Sequence, residues 1–368
     1  MQYFNVKNKL GFGLMRLPKK CMEIDCEKLN AMVDKFIASG FNYFDTAHGY
    51  HNGLSEKAFK KCVSDRYPRE AFTITDKLTE PYFKKNADIR PFFENQLKTC
   101  GVEYFDFYLM HSQNKVNFEH FKRCRAYEEA LKLKEEGKIK HFGISFHDTA
   151  DVLDKILTEY PQIEVVQIQY NYLDYDDSAV QSGKCLKTCE KHGKPVIVME
   201  PIKGGCLANL IPEAKAVADE LGISAAQLAI RFAAMPDSIM MVLSGMSEPS
   251  QLEENVSFMS DYRKLSDEEL AAAERIKKII RGKNMIACTA CRYCVDGCPK
   301  SISIPDLFAC YNAKKHFNDW NADFYYDSVH TVGKGKASDC IKCGKCERIC
   351  PQKLPIRALL VEVAKTFE

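Results

Sequence analysis

The chain has 368 residues, of which 46% are hydrophobic and 28% are charged, and its formal net charge is +2. This length is enough for one large domain and a small one. The balanced charge argues against a nucleic-acid-binding tail or a basic membrane-binding patch. No stretch approaches the roughly 18 to 20 apolar residues of a membrane span, and the N-terminal residues lack a signal-peptide pattern. We therefore expect a cytoplasmic protein.

Short β-rich runs alternate with helix-period stretches along the first 280 residues. The strand candidates lie at residues 10–17, 41–47, 71–78, 104–111, 140–146, 163–170, 195–201 and 239–246. Helical stretches such as 123–139 and 223–235 lie between them. Eight strands interleaved with helices predict an α/β fold, in which a parallel sheet closes as a (β/α)8 TIM barrel. The alternative is an open doubly wound sheet, but no G-x-G-x-x-G motif follows any strand.

The helical stretch at residues 266–282 ends at a glycine, and a segment of different character follows it. We call this segment, residues 283–368, the cysteine region. Two runs within it contain eight of the chain's 17 cysteines, and the other nine are scattered as expected of small packing residues in a reducing compartment. The sequence therefore predicts two domains, residues 1–282 and residues 283–368.

Polar side chains stand at the ends of three consecutive predicted strands. The second strand ends in Asp45 and is followed closely by Tyr50, the third ends at Lys77, and the fourth ends at His111. Catalytic groups of such barrels lie at the carboxyl ends of the strands. A lysine beside a tyrosine favours the phenolate and lowers the pKa of the phenol toward neutrality, and an aspartate can hold that lysine in place. Tyr50 can then act as a general acid toward a carbonyl oxygen that His111 orients.

Each of these four residues alone is more typical of a helix cap or of a hydrogen-bonded core position. Together with the motifs around them, however, they resemble the aldo-keto reductase superfamily. The motifs are GFGLMRLP, FDTAHGY, TDKL and LMH, and the resemblance runs from about residue 8 to residue 258. It implies an oxidoreductase that reduces a small-molecule carbonyl compound, or oxidises an alcohol, with NAD(P)H. It also implies that Asp45, Tyr50, Lys77 and His111 are its catalytic tetrad.

The same resemblance implies a set of cofactor-binding residues. Ser145 and Gln167 match the positions that hold the nicotinamide carboxamide. At the adenosine end, the matching residues are Ser247, Gln251, Glu254 and Asn255, on a loop and helix start of the kind that binds anions. Lys203, followed by two glycines, is a further candidate for a phosphate loop, although a simple turn is an equal alternative.

Three positions depart from the family's pattern. Phe146 stands where an asparagine usually follows Ser145, and the sequence after the seventh strand, around Met199 and Glu200, lacks the usual aromatic residue. Residues 244–256 contain no Lys or Arg that could pair with a 2′-phosphate. We therefore expect NADH to bind at least as well as NADPH. FMN is the alternative occupant of the barrel.

The two cysteine runs read CTACRYCVDGCP at residues 288–299 and CIKCGKCERICP at residues 340–351. Each is C-x2-C-x2-C-x3-C-P, the pattern of [4Fe-4S] clusters in bacterial ferredoxins, whereas zinc sites usually draw four ligands from two pairs. In two-cluster ferredoxins the fourth cysteine ligates the other cluster. That resemblance implies two ligand sets, Cys288, Cys291, Cys294 and Cys350 for one cluster, and Cys340, Cys343, Cys346 and Cys298 for the other.

Helical character at residues 304–317 indicates a mainly α-helical ferredoxin-like domain. Residues 281–368 contain 14 Lys and Arg against 9 Asp and Glu, an excess that offsets cluster charge or forms a docking patch for a ferredoxin or flavodoxin carrier. Clusters pass single electrons, whereas NAD(P)H gives up a hydride. Four roles therefore stay open for the clusters: structural or regulatory, electron supply to a flavin, electron supply to the substrate, or a non-catalytic electron carrier.

Overall fold

Eight parallel β-strands follow one another around a closed barrel. The computed structural model describes residues 4, 6, 8–21, 23–282, 285–288, 290–317 and 319–368. In chain order, the strands are β1 (Leu10–Gly13), β2 (Tyr43–Asp45), β3 (Thr73–Leu78), β4 (Phe105–Gln113), β5 (Ile139–Phe146), β6 (Val165–Gln169), β7 (Val196–Met199) and β8 (Ile239–Gly245). Because β1 pairs in parallel with both β8 and β2, the sheet has no free edge. The predicted (β/α)8 barrel is therefore confirmed.

Helices connect the strands and surround the barrel. They are α1 (Cys26–Ala38), α2 (Leu54–Phe59), α3 (Asn86–Cys100), α4 (Lys115–Arg123), α5 (Ala126–Glu135), α6 (Ala150–Glu159), α7 (Ser182–Lys191), α8 (Pro212–Glu220), α9 (Ala225–Ala234), α10 (Pro249–Ser260) and α11 (Asp267–Gly282). Local sequence determines several of their ends. The Asp25 side chain accepts a hydrogen bond from the backbone of Lys28 at the start of α1, and Ser224 caps α9 in the same way.

Shorter elements complete the barrel. Single turns of 3-10 helix span Leu14–Arg16, Tyr50–Gly53, Arg69–Ala71 and Lys203–Gly205, a π-helical turn spans Lys60–Ser64, and a two-stranded hairpin pairs Lys19–Lys20 with Glu23–Ile24. The first strand is shorter than the predicted range of residues 10–17, because the 3-10 turn follows it directly. The fourth is longer, because β4 continues past His111 to Gln113 with an irregular register and a positive φ of 50° at Ser112.

Large apolar side chains fill one end of the barrel interior, among them Tyr43, Phe107, Val165 and Met241. Gly143 of β5 is required by this packing. A Cβ at this position would lie 2.5 Å from the carbonyl oxygen of Val165 and 2.7 Å from a methyl of Leu109, distances that real Cβ atoms do not adopt. Polar side chains occupy the opposite end of the barrel, at the carboxyl termini of the strands.

The cysteine region is mainly helical, as predicted. It contains α12 (Tyr293–Asp296), α13 (Ile304–Phe317), α14 (Asn321–Phe324), a π-helical turn (Tyr325–His330), a 3-10 turn (Ala337–Asp339), α15 (Lys345–Ile349) and α16 (Ile356–Phe367). Its apolar core also includes Ala179 and Val180 from the barrel. Residues 283 and 284, where the predicted domain boundary falls, lie outside the described residues. None of the helices among the described residues has the length and hydropathy of a membrane span.

Candidate active site

Lys77 of β3 is fully buried at the carboxyl end of the barrel. Its Nζ donates hydrogen bonds to Asp45 Oδ1 at 2.6 Å and to the Thr46 carbonyl at 2.7 Å. The second carboxylate oxygen of Asp45 accepts from Gln167 Nε2 at 3.0 Å. Burial alone would lower the pKa of Lys77, but Asp45 and Tyr50 raise it above its usual value. The lysine is therefore a charged group held in one position.

Tyr50 follows β2 in a 3-10 turn, and its hydroxyl lies 3.4 Å from Lys77 Nζ. Burial raises the pKa of Tyr50 above its ordinary value, and the opposing effect of Lys77 does not cancel it. The prediction that Lys77 brings this pKa toward neutrality is therefore wrong, because desolvation of the phenolate outweighs the nearby charge. Tyr50 is a protonated phenol at neutral pH. It can act as a proton donor.

His111 lies beside Tyr50, with the two rings edge to face and 6.0 Å apart. Its Nδ1 is 2.8 Å from the hydroxyl of Thr79, which follows β3. Burial lowers the pKa of His111 well below its usual value, and Lys77 and His147 add to the effect. The imidazole is therefore neutral. The structure thus brings together all four side chains that the strand ends indicated.

A buried polar network behind Lys77 was missed by sequence reasoning. Gln96 of α3 donates to the Lys77 carbonyl and to Glu56 Oε1, both at 3.1 Å, and accepts from the Tyr108 hydroxyl at 2.6 Å. Burial, with the charge of Glu56, raises the pKa of Asp76 well above its usual value. The network holds β3 in register behind the site. Its one sequence signal is Asp76, a carboxyl group inside a buried strand.

His147 is a second residue that sequence reasoning missed. It follows β5 directly, and its backbone N–H donates to the Gln113 carbonyl at 2.8 Å, so the ring stands beside the end of β4. Burial and the charge of Lys77 lower the pKa of His147 to about 4. Its Nδ1 is buried without a hydrogen-bond partner among the described atoms. A second neutral imidazole therefore borders the site.

The two residues expected at the carboxamide position, Ser145 and Gln167, are paired in register on β5 and β6 and are buried beside the tetrad. Ser145 Oγ accepts from the backbone N–H of Ser112 at 3.0 Å, while Gln167 donates to Asp45. Both side chains therefore lie close to the four residues of the predicted tetrad. Each already uses part of its hydrogen-bonding capacity for a contact within the site.

The four residues expected at the adenosine end lie on the loop after β8 and on α10. Gln251 Oε1 accepts from the Ser247 backbone at 2.8 Å, Ser247 Oγ donates to the Arg16 carbonyl at 2.8 Å, and Asn255 Nδ2 donates to Ser244 Oγ at 3.0 Å. Glu254 is exposed. These contacts hold the loop against the end of β1. Gln251 is exposed alongside Glu254, whereas Asn255 is buried.

Two cations near this loop come from elsewhere in the chain. Lys28 of α1 donates to both carboxylate oxygens of Glu248, at 3.1 and 3.0 Å. A Cβ built on Gly245 would lie 2.6 Å from Cγ of the exposed Arg16, whose carbonyl accepts from Ser247. Residues 244–256 lack Lys and Arg in sequence, but tertiary structure places positive charge beside them.

Lys203 was a candidate for the phosphate loop, and the structure corrects this. Its ammonium is 2% exposed and lies 2.8 Å from carboxylate oxygens of both Asp174 and Asp319. Burial alone would lower the pKa of Lys203, but the two carboxylates raise it strongly. Asp319 belongs to the cysteine region. Because this ammonium is enclosed by two carboxylates, Lys203 joins the two parts of the chain instead of facing a phosphate.

The eight cysteines of the two runs surround two small cavities. One cavity is bordered by four of them, Cys288, Cys291, Cys294 and Cys350. The other is bordered by the remaining four, Cys298, Cys340, Cys343 and Cys346. Each cavity thus draws three thiols from one run and one from the other. Apolar side chains such as Phe308 and Leu360 line much of the remaining walls, together with a few polar residues.

Comparison with known proteins gives a consistent result for both parts of the chain. The model of the aldo/keto reductase family matches residues 9–278, and that of the 4Fe-4S dicluster domain matches residues 287–354. An uncharacterized oxidoreductase of Schizosaccharomyces pombe is 26% identical over 68% of this chain and 81% of its own length. The NADH-specific methylglyoxal reductase of Escherichia coli is 27% identical over 47% of this chain and 56% of its own length.

Among solved structures, an aldo-keto reductase from Klebsiella pneumoniae in complex with NADPH superimposes with a TM-score of 0.60 at 22% identity. The superposition covers 73% of this chain and 90% of that one. This likeness supports the barrel fold, and the family match extends over most of the chain. The protein is an oxidoreductase with a C-terminal 4Fe-4S domain, and it belongs to the aldo/keto reductase family.

Proposed function

We propose that the protein reduces the carbonyl group of a small molecule, or oxidises the corresponding alcohol, with a nicotinamide cofactor. The observation that supports this most strongly is the row formed by Asp45, Lys77 and Tyr50, in which a buried ammonium links a carboxylate to a protonated phenol. A bound nicotinamide supplies the hydride. The residues of the chain orient the carbonyl and provide the proton.

In this proposal Tyr50 donates a proton to the carbonyl oxygen as negative charge develops there. Its raised pKa keeps the proton on the phenol until it is needed. Lys77, fixed by Asp45, stabilises the phenolate that is left after transfer. The same three residues work in reverse when an alcohol is oxidised.

His111 orients the carbonyl in this proposal, and Thr79 determines which nitrogen faces it. The Thr79 hydroxyl has one hydrogen and two acceptors in reach, His111 Nδ1 at 2.8 Å and the Lys77 carbonyl at 3.3 Å. In this proposal the hydroxyl donates to Nδ1, which leaves the proton of the neutral imidazole on Nε2. That N–H can then donate to the substrate carbonyl.

We propose that the dinucleotide contacts Ser145 and Gln167 with its carboxamide, and Ser247, Gln251, Glu254 and Asn255 with its adenosine end. NADH is expected to bind at least as well as NADPH, since the carboxylate of Glu248 faces this end and already neutralises Lys28. The relatives do not favour either form, because the Escherichia coli protein is NADH-specific and the Klebsiella protein was solved with NADPH.

We further propose that residues 283–368 form a separate domain that carries two [4Fe-4S] clusters, one in each cysteine-bordered cavity. The donor sets suit this assignment, because four thiols converge on each cavity and the remaining walls are largely apolar. When bound, the clusters supply one-electron transfer. A ferredoxin or flavodoxin is a suitable external partner for such centres.

The proposal is tested with Tyr50→Phe in the full chain, prepared anaerobically with its clusters. Loss of the general acid should lower carbonyl turnover by about 100-fold or more while iron content and thermal stability stay unchanged. Tyr104→Phe, a change at a half-buried tyrosine beside the amino end of β4, serves as the matched control. Unchanged turnover in Tyr50→Phe would contradict the proposed role. Tight FMN binding without a response to NADH or NADPH would contradict the cofactor.

A further inference from the structure

A short segment of the cysteine region, residues 319–325, lies across the carboxyl end of the barrel. We call it the crossing segment. At its start, Asp319 forms the buried ion pair with Lys203, after β7. At its end, the hydroxyl of Tyr325 donates to Gln169, the last residue of β6, at 3.5 Å, and both side chains are buried. The segment is thus attached to the barrel at two buried points.

Two aromatic residues of the crossing segment lie between these attachments. The ring of Phe324 packs edge-on against His147, with ring centres 5.5 Å apart. The indole nitrogen of Trp320 would lie 3.9 Å from a Cβ built on Gly204, although the residue is 44% exposed. Both rings therefore stand at the carboxyl ends of strands, Phe324 beyond β5 and Trp320 beyond β7.

His147 connects Phe324 to the catalytic residues. Lys77 and His147 are close enough for the lysine charge to lower the pKa of the histidine, and His147 affects His111 in the same way. His147 is also placed by a backbone hydrogen bond to Gln113, two residues beyond His111. The tetrad occupies the ends of β2, β3 and β4, and the crossing segment covers the ends of β5, β6 and β7.

The charged groups near the crossing segment already have partners of opposite charge. Lys77 faces Asp45, and Lys203 faces Asp174 and Asp319. Arg16, which is exposed beside Trp320, lies near the carboxylate of Glu200. Both imidazoles, His111 and His147, are neutral because of their lowered pKa values. Beside Phe324, where the neighbouring group is the neutral His147, a carboxylate on the substrate would lose its hydration without gaining a cation in exchange, which is unfavourable. Aromatic carbon, in contrast, finds a matching surface.

We propose that the crossing segment forms one wall of the barrel's active site, and that Phe324 and Trp320 select uncharged carbonyl compounds with an apolar, flat substituent. This inference rests on the proposed function, which it extends to a substrate class. It makes the iron–sulfur domain a structural part of the substrate site. Phe324 and Trp320 act here as specificity residues and take no part in proton transfer.

The test uses the full chain with its clusters, NADH as reductant, and three aldehydes as probes: benzaldehyde, 4-carboxybenzaldehyde and 1-naphthaldehyde. The wild-type protein should prefer benzaldehyde to its carboxylated analogue by at least about 10-fold in kcat/KM. Phe324→Ala should raise the ratio of kcat/KM for 1-naphthaldehyde over benzaldehyde by at least about 5-fold, because it opens the wall. Val361→Ala, on an exposed residue of α16, should change neither ratio.

If the kcat/KM ratio of 1-naphthaldehyde over benzaldehyde is unchanged in a folded, iron-loaded Phe324→Ala protein, Phe324 does not form a wall of the site. If the wild-type protein prefers the carboxylated aldehyde, the charge argument is wrong. If Phe324→Ala does not fold, Phe324→Leu should shift the same ratio in the same direction. A second readout needs no turnover. Ethoxycarbonylation of His147 by diethyl pyrocarbonate, measured by peptide mass spectrometry, should rise severalfold in Phe324→Ala. An unchanged labelling rate refutes the contact, whereas absent turnover with raised labelling refutes only the proposed function.

Discussion

Lys77 in the barrel contacts Asp45, Thr46 and Tyr50 directly, whereas the cysteines of the cysteine region face one another across two cavities. The barrel site is assembled by hydrogen bonds and ion pairs among its own side chains, above a continuous apolar core. The cysteine sites are assembled from thiols that border two cavities, and the proposed clusters would link these thiols. Metal binding is coupled to folding in sites of the second kind. We therefore expect the two regions to respond very differently to substitution.

The largest effect is expected at the cysteines. Cys298→Ala and Cys340→Ala should each lose about four of about eight irons, and the double variant should lose no more, since both residues border the same cavity. Cys294→Ala combined with Cys298→Ala should lose both clusters. Iron analysis of anaerobic protein measures this, and Cys310→Ala, a buried cysteine outside both runs, is the control. If Cys298→Ala with Cys340→Ala lost both clusters, the ligand sets would be wrong.

The next effect concerns the ion pair that joins the two regions. Lys203→Met leaves Asp174 and Asp319 buried without their cation, which should lower the free energy of unfolding by about 3–5 kcal/mol. Thermal or urea unfolding measures the change. Lys215→Met removes an exposed pair with Asp219 and should cost less than about 1 kcal/mol. Equal costs in the two variants would show that the buried pair does not stabilise the contact between regions.

A smaller effect is expected at Thr79 within the barrel. Thr79→Val removes the donor to His111 Nδ1, so the imidazole no longer favours a proton on Nε2, and kcat should fall by about 10-fold. Thr79→Ser keeps the hydroxyl and should retain activity. Folding and iron content should not change in either variant. Full activity in Thr79→Val would refute the assigned tautomer.

Cofactor preference should shift more modestly. Glu248→Gln removes a carboxylate at the adenosine end and releases Lys28, so NADPH binding should improve relative to NADH by about 3- to 10-fold. Titration of the full chain with both cofactors measures the ratio. Glu253→Gln, an exposed neighbour on α10, is the control. An unchanged ratio would remove Glu248 as a determinant of cofactor choice.

The smallest effect is expected from pH. Tyr50 has a raised pKa, so its proton-donating form persists at neutral pH and is lost only as pH rises through that pKa. His111 has a lowered pKa, so its neutral form is lost only as pH falls through that value. The kcat for carbonyl reduction should therefore stay flat from about pH 6 to about pH 9. A steep change within this range would contradict the protonation states assigned to the site.

Much of the fold was determined by local sequence. Strands and helices appear close to where the alternation of β-rich and helix-period runs predicted them. The strands are buried on both faces, so short continuous runs marked them, whereas the helices show a period near 3.6 residues. The stop of α11 at Gly282 and the helical character of residues 304–317 are local in the same sense. The four candidate catalytic residues followed from strand ends, because parallel strands bring those ends to one rim.

Other properties of the site depend on residues that are distant in sequence, and only tertiary structure decided them. The pKa of Tyr50 depends on how deeply the phenol is buried, which no motif around Lys77 reveals. Lys203 forms an ion pair with Asp319 of the other region, and Glu248 forms one with Lys28, 220 positions away. Charge and burial act through space, so their balance at a site is determined when the chain closes around it.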